Sequence, residues 1–267
     1  MKRDIMMLCL MVYIFIFTGC SSTTSELTLH PKPHEPVYKV ATQKVAKEKL
    51  NINVGLLKLS SYLKLEGTTD SDIEKTTYMD AFATQLEFIN SLEASIESIL
   101  VNKGYTIIDM VADYSELTKE AKDNIDFFVV PKINLITHDN INMESKVPLD
   151  FNFRKDTRGE IICSGKVSLL GEMAFTILNP RTNDIIYSSH KKFESGSPLN
   201  VSLEKYAVSS TAEELYKDLL NRCVYGVNNA RSKTLEEIYY NYIENFIKYF
   251  PDGKLAKKLY ESTKSLF

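Results

Sequence analysis

A chain of 267 residues with 32 Lys plus Arg against 35 Asp plus Glu is mildly acidic, at −3, and 44% hydrophobic. That length supports one large domain or two modest ones with a proper core. The charge balance leaves no electrostatic footprint for nucleic acid, which is therefore excluded as a partner.

The chain opens on Lys2 and Arg3 and then the thirteen-residue apolar run Ile5–Phe17. Such a run makes about 20 Å of helix, short of the roughly 20 residues of a membrane span, and fits the core of a secretory signal. It ends at Thr18-Gly19-Cys20, which resembles the lipobox of bacterial lipoproteins. The resemblance implies cleavage before Cys20 and acylation of its thiol and new amino terminus. Two or more acyl chains hold a protein firmly to a bilayer, at roughly 0.8 kcal/mol per buried CH2. Ser21 after the cysteine implies sorting to the outer membrane. Residues 1–19 thus read as signal peptide and 20–50 as lipidated tether, Ser and Thr rich and then carrying Pro31, Pro33 and Pro36. Lys39–Lys49 reads as a short basic helix or a loose approach segment.

An α/β domain over 51–230 follows. Ile52–Leu59 is a strand whose alternation shifts phase near Gly55, as at a bulge or in a strand buried on both faces. After a polar loop over 66–77, Phe82, Leu86, Ile89, Ile96, Ile99 and Leu100 set a helical stripe over Tyr78–Lys103, and Gly104 stands where a left-handed terminal residue is wanted. Tyr105–Val111 returns as a strand, completing a β-α-β unit. Ser115 caps a short helix to Lys122. Asp126–Thr137 is a strand in which Pro131 demands a bulge or an edge. Residues 138–160 read as a polar excursion or an added strand.

Ile161–Leu178 and Ile185–Phe193 form an antiparallel hairpin about Asn179-Pro180-Arg181-Thr182-Asn183, ended by Gly196 and Pro198. A helix capped by Asn200 or Ser202 runs to about Cys223. Residues 231–267 read as a C-terminal helical segment, with Thr234 and Glu237 as a capping box, a stop at Pro251 and Gly253, and a last helix over Lys254–Ser265. Leu235, Ile238, Tyr239, Tyr242, Ile243, Phe246 and Phe250 cover nearly half the helix circumference and must be buried. The first reading is self-packing; Tyr239, Tyr242, Phe246 and Phe250 are also candidates for packing on a partner, a second copy included. The fold class is α/β (α+β): a mixed sheet with a β-α-β unit and an antiparallel hairpin, helices packed on it, and C-terminal helices.

Chemistry is sparse. Cys163 and Cys223 permit one disulfide or two free thiols, and Cys223 alone reads as a small buried hydrophobe. His30, His34, His138 and His190 are scattered, with no metal-ligand spacing, and Glu160, Glu172 and Asp184 read as solvated acids flanking strands. No nucleotide-binding, hydrolase or zinc-protease motif is present. The chain reads as non-catalytic, without cofactor or metal.

Leu27 through His30-Pro31, the β-α-β unit with its Gly104-Tyr105 turn, the strand near Phe127 and the block Met173–Phe193 around Asn179-Pro180 together resemble the neuraminyllactose-binding haemagglutinin family. These are surface or flagellar-sheath lipoproteins of Helicobacter and related bacteria. The resemblance implies an outer-membrane lipoprotein adhesin for sialylated glycoconjugates. The stretch matching the family's basic run, His138–Lys146, holds one Lys and two acids here, so Lys146 and, beyond it, Arg154, Lys155 and Arg158 are the substitutes able to meet a sugar carboxylate. The alternative is an envelope or flagellar-sheath structural lipoprotein that binds protein partners. Either way the partners are membrane lipid through Cys20 and a host glycan or an envelope protein.

Overall fold

A computed structural model describes residues 36–39, 45–46, 48–68, 71–145, 158–206 and 212–264. The chain divides into two units, Met1–Lys32 and Pro33–Phe267, and all described residues belong to the second. The signal peptide and Cys20 lie outside the described residues, as do Lys146, Arg154 and Lys155. Among the described residues no helix is long and apolar enough to cross a membrane.

The elements run β1 (Asn53–Leu57), β2 (Ser60–Thr68), α1 (Ser71–Asn102), β3 (Thr106–Val111), α2 (Lys119–Asn124), β4 (Phe127–Ser145), β5 (Arg158–Leu178), β6 (Ile185–Tyr206), α3 (Ala212–Tyr249) and α4 (Gly253–Lys264). Six strands make one mixed sheet in the order β3-β1-β4-β5-β6, with β2 also on β4. Pairing is parallel for β1 with β3 and β4 and for β2 with β4, then antiparallel from β4 through β6. The expected mixed sheet with a β-α-β unit, hairpin and C-terminal helices is what the chain forms.

The local signals act where the sequence places them. The register of β1 against β3 shifts between Val54 and Gly55, and Val54, Gly55 and Leu56 are all buried. Gly104 closes α1 at φ +97°, and the Tyr105 amide reaches back to the Leu100 carbonyl at 3.1 Å. A side chain at 104 would strain that left-handed backbone and drive its Cβ to 2.9 Å from the Glu48 carbonyl. Pro131 sits inside β4 at the step where β1, paired through Val129, gives way to β2, paired from Lys132. A proline there removes no ladder hydrogen bond on that side.

Several expectations give way to tertiary structure. The stretch 66–77 is not a loop, since β2 runs to Thr68 and α1 begins at Ser71. Ser115 does not cap the short helix: Asp113 accepts the Ser115 amide in a 3-10 turn over Tyr114–Glu116, and Thr118 caps α2 by accepting the Ala121 amide. The hairpin does not end at Gly196 and Pro198. It continues to Tyr206 with Pro198 opposite Lys166, because among the described residues β6 is an edge strand, where a proline interrupts no outer ladder. Residues 200–206 are therefore strand, not the start of a helix. Finally, α3 is one helix across the expected boundary at 230/231. Thr234 is no cap; its hydroxyl donates to the Ala230 carbonyl at 2.9 Å inside the helix. The stripe Cys223, Val224, Val227, Ala230, Arg231, Thr234, Leu235 stays buried throughout, so packing carries the helix over a stretch whose Gly and Asn residues disfavour it.

Helices α1 and α3 cover one face of the sheet. The main core joins Phe88, Leu92, Ile96 and Ile99 of α1, Val54, Leu56, Phe127, Ile133, Phe175 and Ile177 of the sheet, Ile238, Tyr239, Tyr242 and Phe246 of α3, and Phe250 just after it. A second cluster, Ile141, Cys163, Val167, Leu199, Cys223, Val224 and Val227, fills the far end of the long hairpin under the first half of α3. There Gly226 lets the helix approach β6 closely, since a Cβ would stand 2.6 Å from Val201 Cγ2. Cys163 on β5 and Cys223 on α3 are joined as a disulfide, so Cys223 is a crosslink rather than a lone hydrophobe.

Part of the stretch read as free tether is packed on the domain. The Val37 carbonyl accepts from Tyr240 Oη at 2.8 Å, and the amides of Ala46 and Leu50 donate to the carbonyls of Asn102 and Gly104.

Candidate functional site

A sheet covered by helices on one side must either cover or solvate the other. At the start of β4 the second face is closed by α2 and the 3-10 turn through Val111, Leu117, Ile125 and Phe128. Tyr114 Oη ties that layer to the hairpin turn by donating to the Pro180 carbonyl. Beyond Val130 the same face of β4, β5 and β6 is open. Lys132, His138, Asn140, Asn142 and Glu144 on β4, Lys166 on β5, and Ser188, His190, Lys192 and Glu194 on β6 are all exposed.

Register places these groups in rows across the strands. Lys132 faces Ala174, which faces His190; Asn134 faces Glu172, which faces Lys192; Ile136 faces Leu170, which faces Glu194. Directly opposed residues have Cβ atoms about 4.5–5.5 Å apart, so an amide, a carboxylate, an imidazole and two ammonium groups share one small patch. Asn134 Nδ2 donates to Glu172 Oε1 at 3.1 Å, and His190 Nε2 lies 3.0 Å from Glu172 Oε2. The His190 hydrogen bond, with help from Asn134 and the positive Lys132, holds the Glu172 carboxyl below its usual range. The patch is therefore preorganised, with Glu172 ionised and fixed between two strands while Lys132 and Lys192 flank it. Chemically it offers donors and acceptors to a hydroxyl-rich ligand and cations to a carboxylate.

A concavity of about 740 Å³ lies apart from this face, at the ends of α1 and α3, lined by Glu48, Leu50, Lys103, Ile247, Lys254 and Lys257 among others. Lys103 is committed there: its Nζ donates to the Phe250 carbonyl at 3.1 Å and pairs with Asp252 at 3.5 Å. Together with Tyr105 Oη on the Pro251 carbonyl, it ties the C-terminus of α1 to that of α3.

Of the residues nominated for a ligand, only Arg158 is described; it begins β5 opposite Tyr206. The four aromatics nominated for a partner lie in the chain's own core: Tyr239 and Phe246 are fully buried and Tyr242 and Phe250 nearly so. Phe246 and Phe250 stack at 4.8 Å and both meet Phe175 of β5. The surface that had to be covered is covered by the sheet and α1. Glu172 and His190, by contrast, read in sequence as solvated and unassigned; only the cross-strand register set by the hairpin turn brings them together with Asn134.

Among the described residues no group of three or more His, Cys, Asp or Glu is placed to hold a metal. No family model matches the chain, and no curated relative does. Solved structures that resemble it include a putative neuraminyllactose-binding hemagglutinin homolog from Helicobacter pylori, at 16% identity and TM-score 0.49 over 87% of this chain and 100% of that one. Others are lipoprotein GNA1162 from Neisseria meningitidis, at 10% and 0.23 over 64% and 96%, and rare lipoprotein B from Shewanella oneidensis, at 13% and 0.20 over 70% and 98%.

Proposed function

We propose that the protein is a lipid-anchored, non-catalytic binding protein of the bacterial outer membrane, held by Cys20, that meets sialylated glycoconjugates on the open face of β4, β5 and β6. The observation that carries this reading is the Asn134–Glu172–His190 network flanked by Lys132 and Lys192. It can bond sugar hydroxyls and neutralise one carboxylate without any reacting group. The Cys163–Cys223 disulfide suits an exported location, because thiols in the cytosol are kept reduced.

A glycan array tests it. The mature lipidated protein in detergent is expected to retain sialylated glycans over their desialylated counterparts. Lys132→Ala with Lys192→Ala is expected to lose that preference by about tenfold or more, as for charge-assisted bonds to a carboxylate. Retention of no glycan would overturn the reading.

One observation favours an envelope or flagellar-sheath structural lipoprotein instead. β6 is a 22-residue edge strand, and an unpaired edge can add a strand from a protein partner. Crosslinks from the outer edge of β6 to an envelope protein, with no glycan bound, would favour that alternative.

A further inference from the structure

We infer that the end of the domain made by the C-termini of α1 and α3 and the first turns of α4 is a docking surface for an anionic lipid bilayer. The concavity at the helix ends brings these stretches of chain together with the segment that precedes β1. Residues 45–46, 48–50, 101–104 and 247–261 carry six lysines, Lys49, Lys103, Lys248, Lys254, Lys257 and Lys258, against three acids, Glu48, Asp252 and Glu261. A chain whose total charge is −3 thus presents +3, six minus three, at this end. Lys103 is held by Asp252, and the other five lysines are exposed.

Cations alone would suit any polyanion; the apolar side chains among them select a bilayer. Val45, Val101, Tyr249 and Leu255 are 44–70% exposed, and each stands within two residues of one that lines the concavity. Lys248 Nζ lies 5.1 Å over the Tyr249 ring. An ammonium beside a ring with an apolar body and a polar tip is the combination that suits the boundary between headgroups and acyl chains.

The packing of α4 fixes the kind of contact. Ala256 is fully buried and Leu259 and Tyr260 pack on the main core, so the apolar side of the helix is occupied by its own domain. Lys254, Leu255, Lys257 and Lys258 are exposed on the other side. Contact is therefore peripheral: the lysines meet headgroup phosphates, Leu255 and Tyr249 enter the interface, and the helix itself is not inserted. Each lysine near such a surface strengthens association about fivefold, and added salt weakens it. Neither the anchor at Cys20 nor the glycan face enters this inference.

Co-sedimentation with vesicles tests it in the mature chain with Cys20→Ser, where no acyl group contributes. The protein is expected to bind vesicles of phosphatidylglycerol mixed with phosphatidylcholine, to stay in solution with phosphatidylcholine alone, and to be released as salt is raised. Lys254→Gln, Lys257→Gln and Lys258→Gln together are expected to weaken binding about a hundredfold, and Leu255→Ser alone about fivefold. Lys58→Gln, Lys119→Gln and Lys191→Gln change the net charge equally at exposed sites elsewhere and are expected to leave binding unchanged. No preference for the anionic vesicles, or equal loss in the two triple variants, would overturn the surface. Binding to polyglutamate as tight as to the vesicles, and indifferent to Leu255→Ser, would overturn the lipid in favour of an acidic protein.

Discussion

Arg231 Nη2 donates to Asp139 Oδ2 at 2.5 Å, with both side chains 5% exposed, between the helix α3 and the strand β4. The pair belongs to a polar seam that crosses beneath α3, continuing through Thr234 on Ser197 at 3.0 Å and Ser195 on Glu237 at 2.5 Å. The seam separates the main core from the cluster at the far end of the hairpin. Hydrogen bonds at fixed positions along a helix this long specify its register on the sheet in a way that apolar contact alone does not.

Asp139→Ala strands a buried guanidinium whose Nε and Nη1 already lack partners among the described residues. It is expected to cost about 3–5 kcal/mol in urea unfolding. The double variant Asp139→Leu with Arg231→Met removes both charges and is expected to recover most of that loss. A double variant as unstable as the single one would show that the pair stabilises beyond mutual neutralisation.

The disulfide closes a 60-residue separation between β5 and α3. Chain-entropy arguments give roughly 4 kcal/mol for a loop of that size. Cys163→Ser with Cys223→Ser is expected to lose a comparable amount. Hydrogen exchange should accelerate in 163–167, 199–201 and 220–230 before it does in the main core, since these residues share the second cluster. Uniform acceleration across both clusters would contradict two separable packing units.

Truncating Phe246, fully buried against Phe175 and Phe250, is expected to cost about 3–5 kcal/mol. The sedimentation behaviour of Phe246→Ala under native conditions should match wild type. A change of oligomeric state without loss of stability would return this residue to an interface.

Tyr105 and Tyr242 are buried, and burial pushes both phenols above their ordinary 10.0. With the folded values raised, their contribution to stability is complete below pH 10 and falls as pH rises above it, because the unfolded chain then releases protons the folded chain retains. Phenolate absorbance should therefore gain a late component that coincides with loss of helical circular dichroism. On the acid side the sign reverses for Glu172, whose folded value is lowered from 4.5. Its contribution is present above that pH and disappears as pH falls through the folded value, and Glu172→Gln should flatten that part of the acid titration.

Much of the architecture is legible in the residues. The later part of the α1 stripe at Ile96, Ile99 and Leu100, the Gly104 terminator, the β1 phase shift and the turn at Asn179-Pro180 are local signals that the structure obeys, whereas Leu86, read on that stripe, is 52% exposed and Phe88 is buried in its stead. What the sequence hides is set by partners distant along the chain. Pro198 reads as a strand terminator until its strand is known to lie at an edge. Thr234 and Glu237 read as a helix start until Ser197 and Ser195 are found opposite them. The candidate face was the least legible part, because Asn134, Glu172 and His190 are ordinary surface residues whose meaning lies in registers of 38 and 18 residues' separation.

The central claim is that ligand meets the open face of β4, β5 and β6. The most direct test is titration of isotope-labelled protein with sialyllactose, followed by nuclear magnetic resonance. The account predicts shifts concentrated on Lys132, Asn134, Glu172, His190 and Lys192. Shifts at Lys254 and Lys257 in the concavity at the helix ends, or none at saturating sugar, would contradict it.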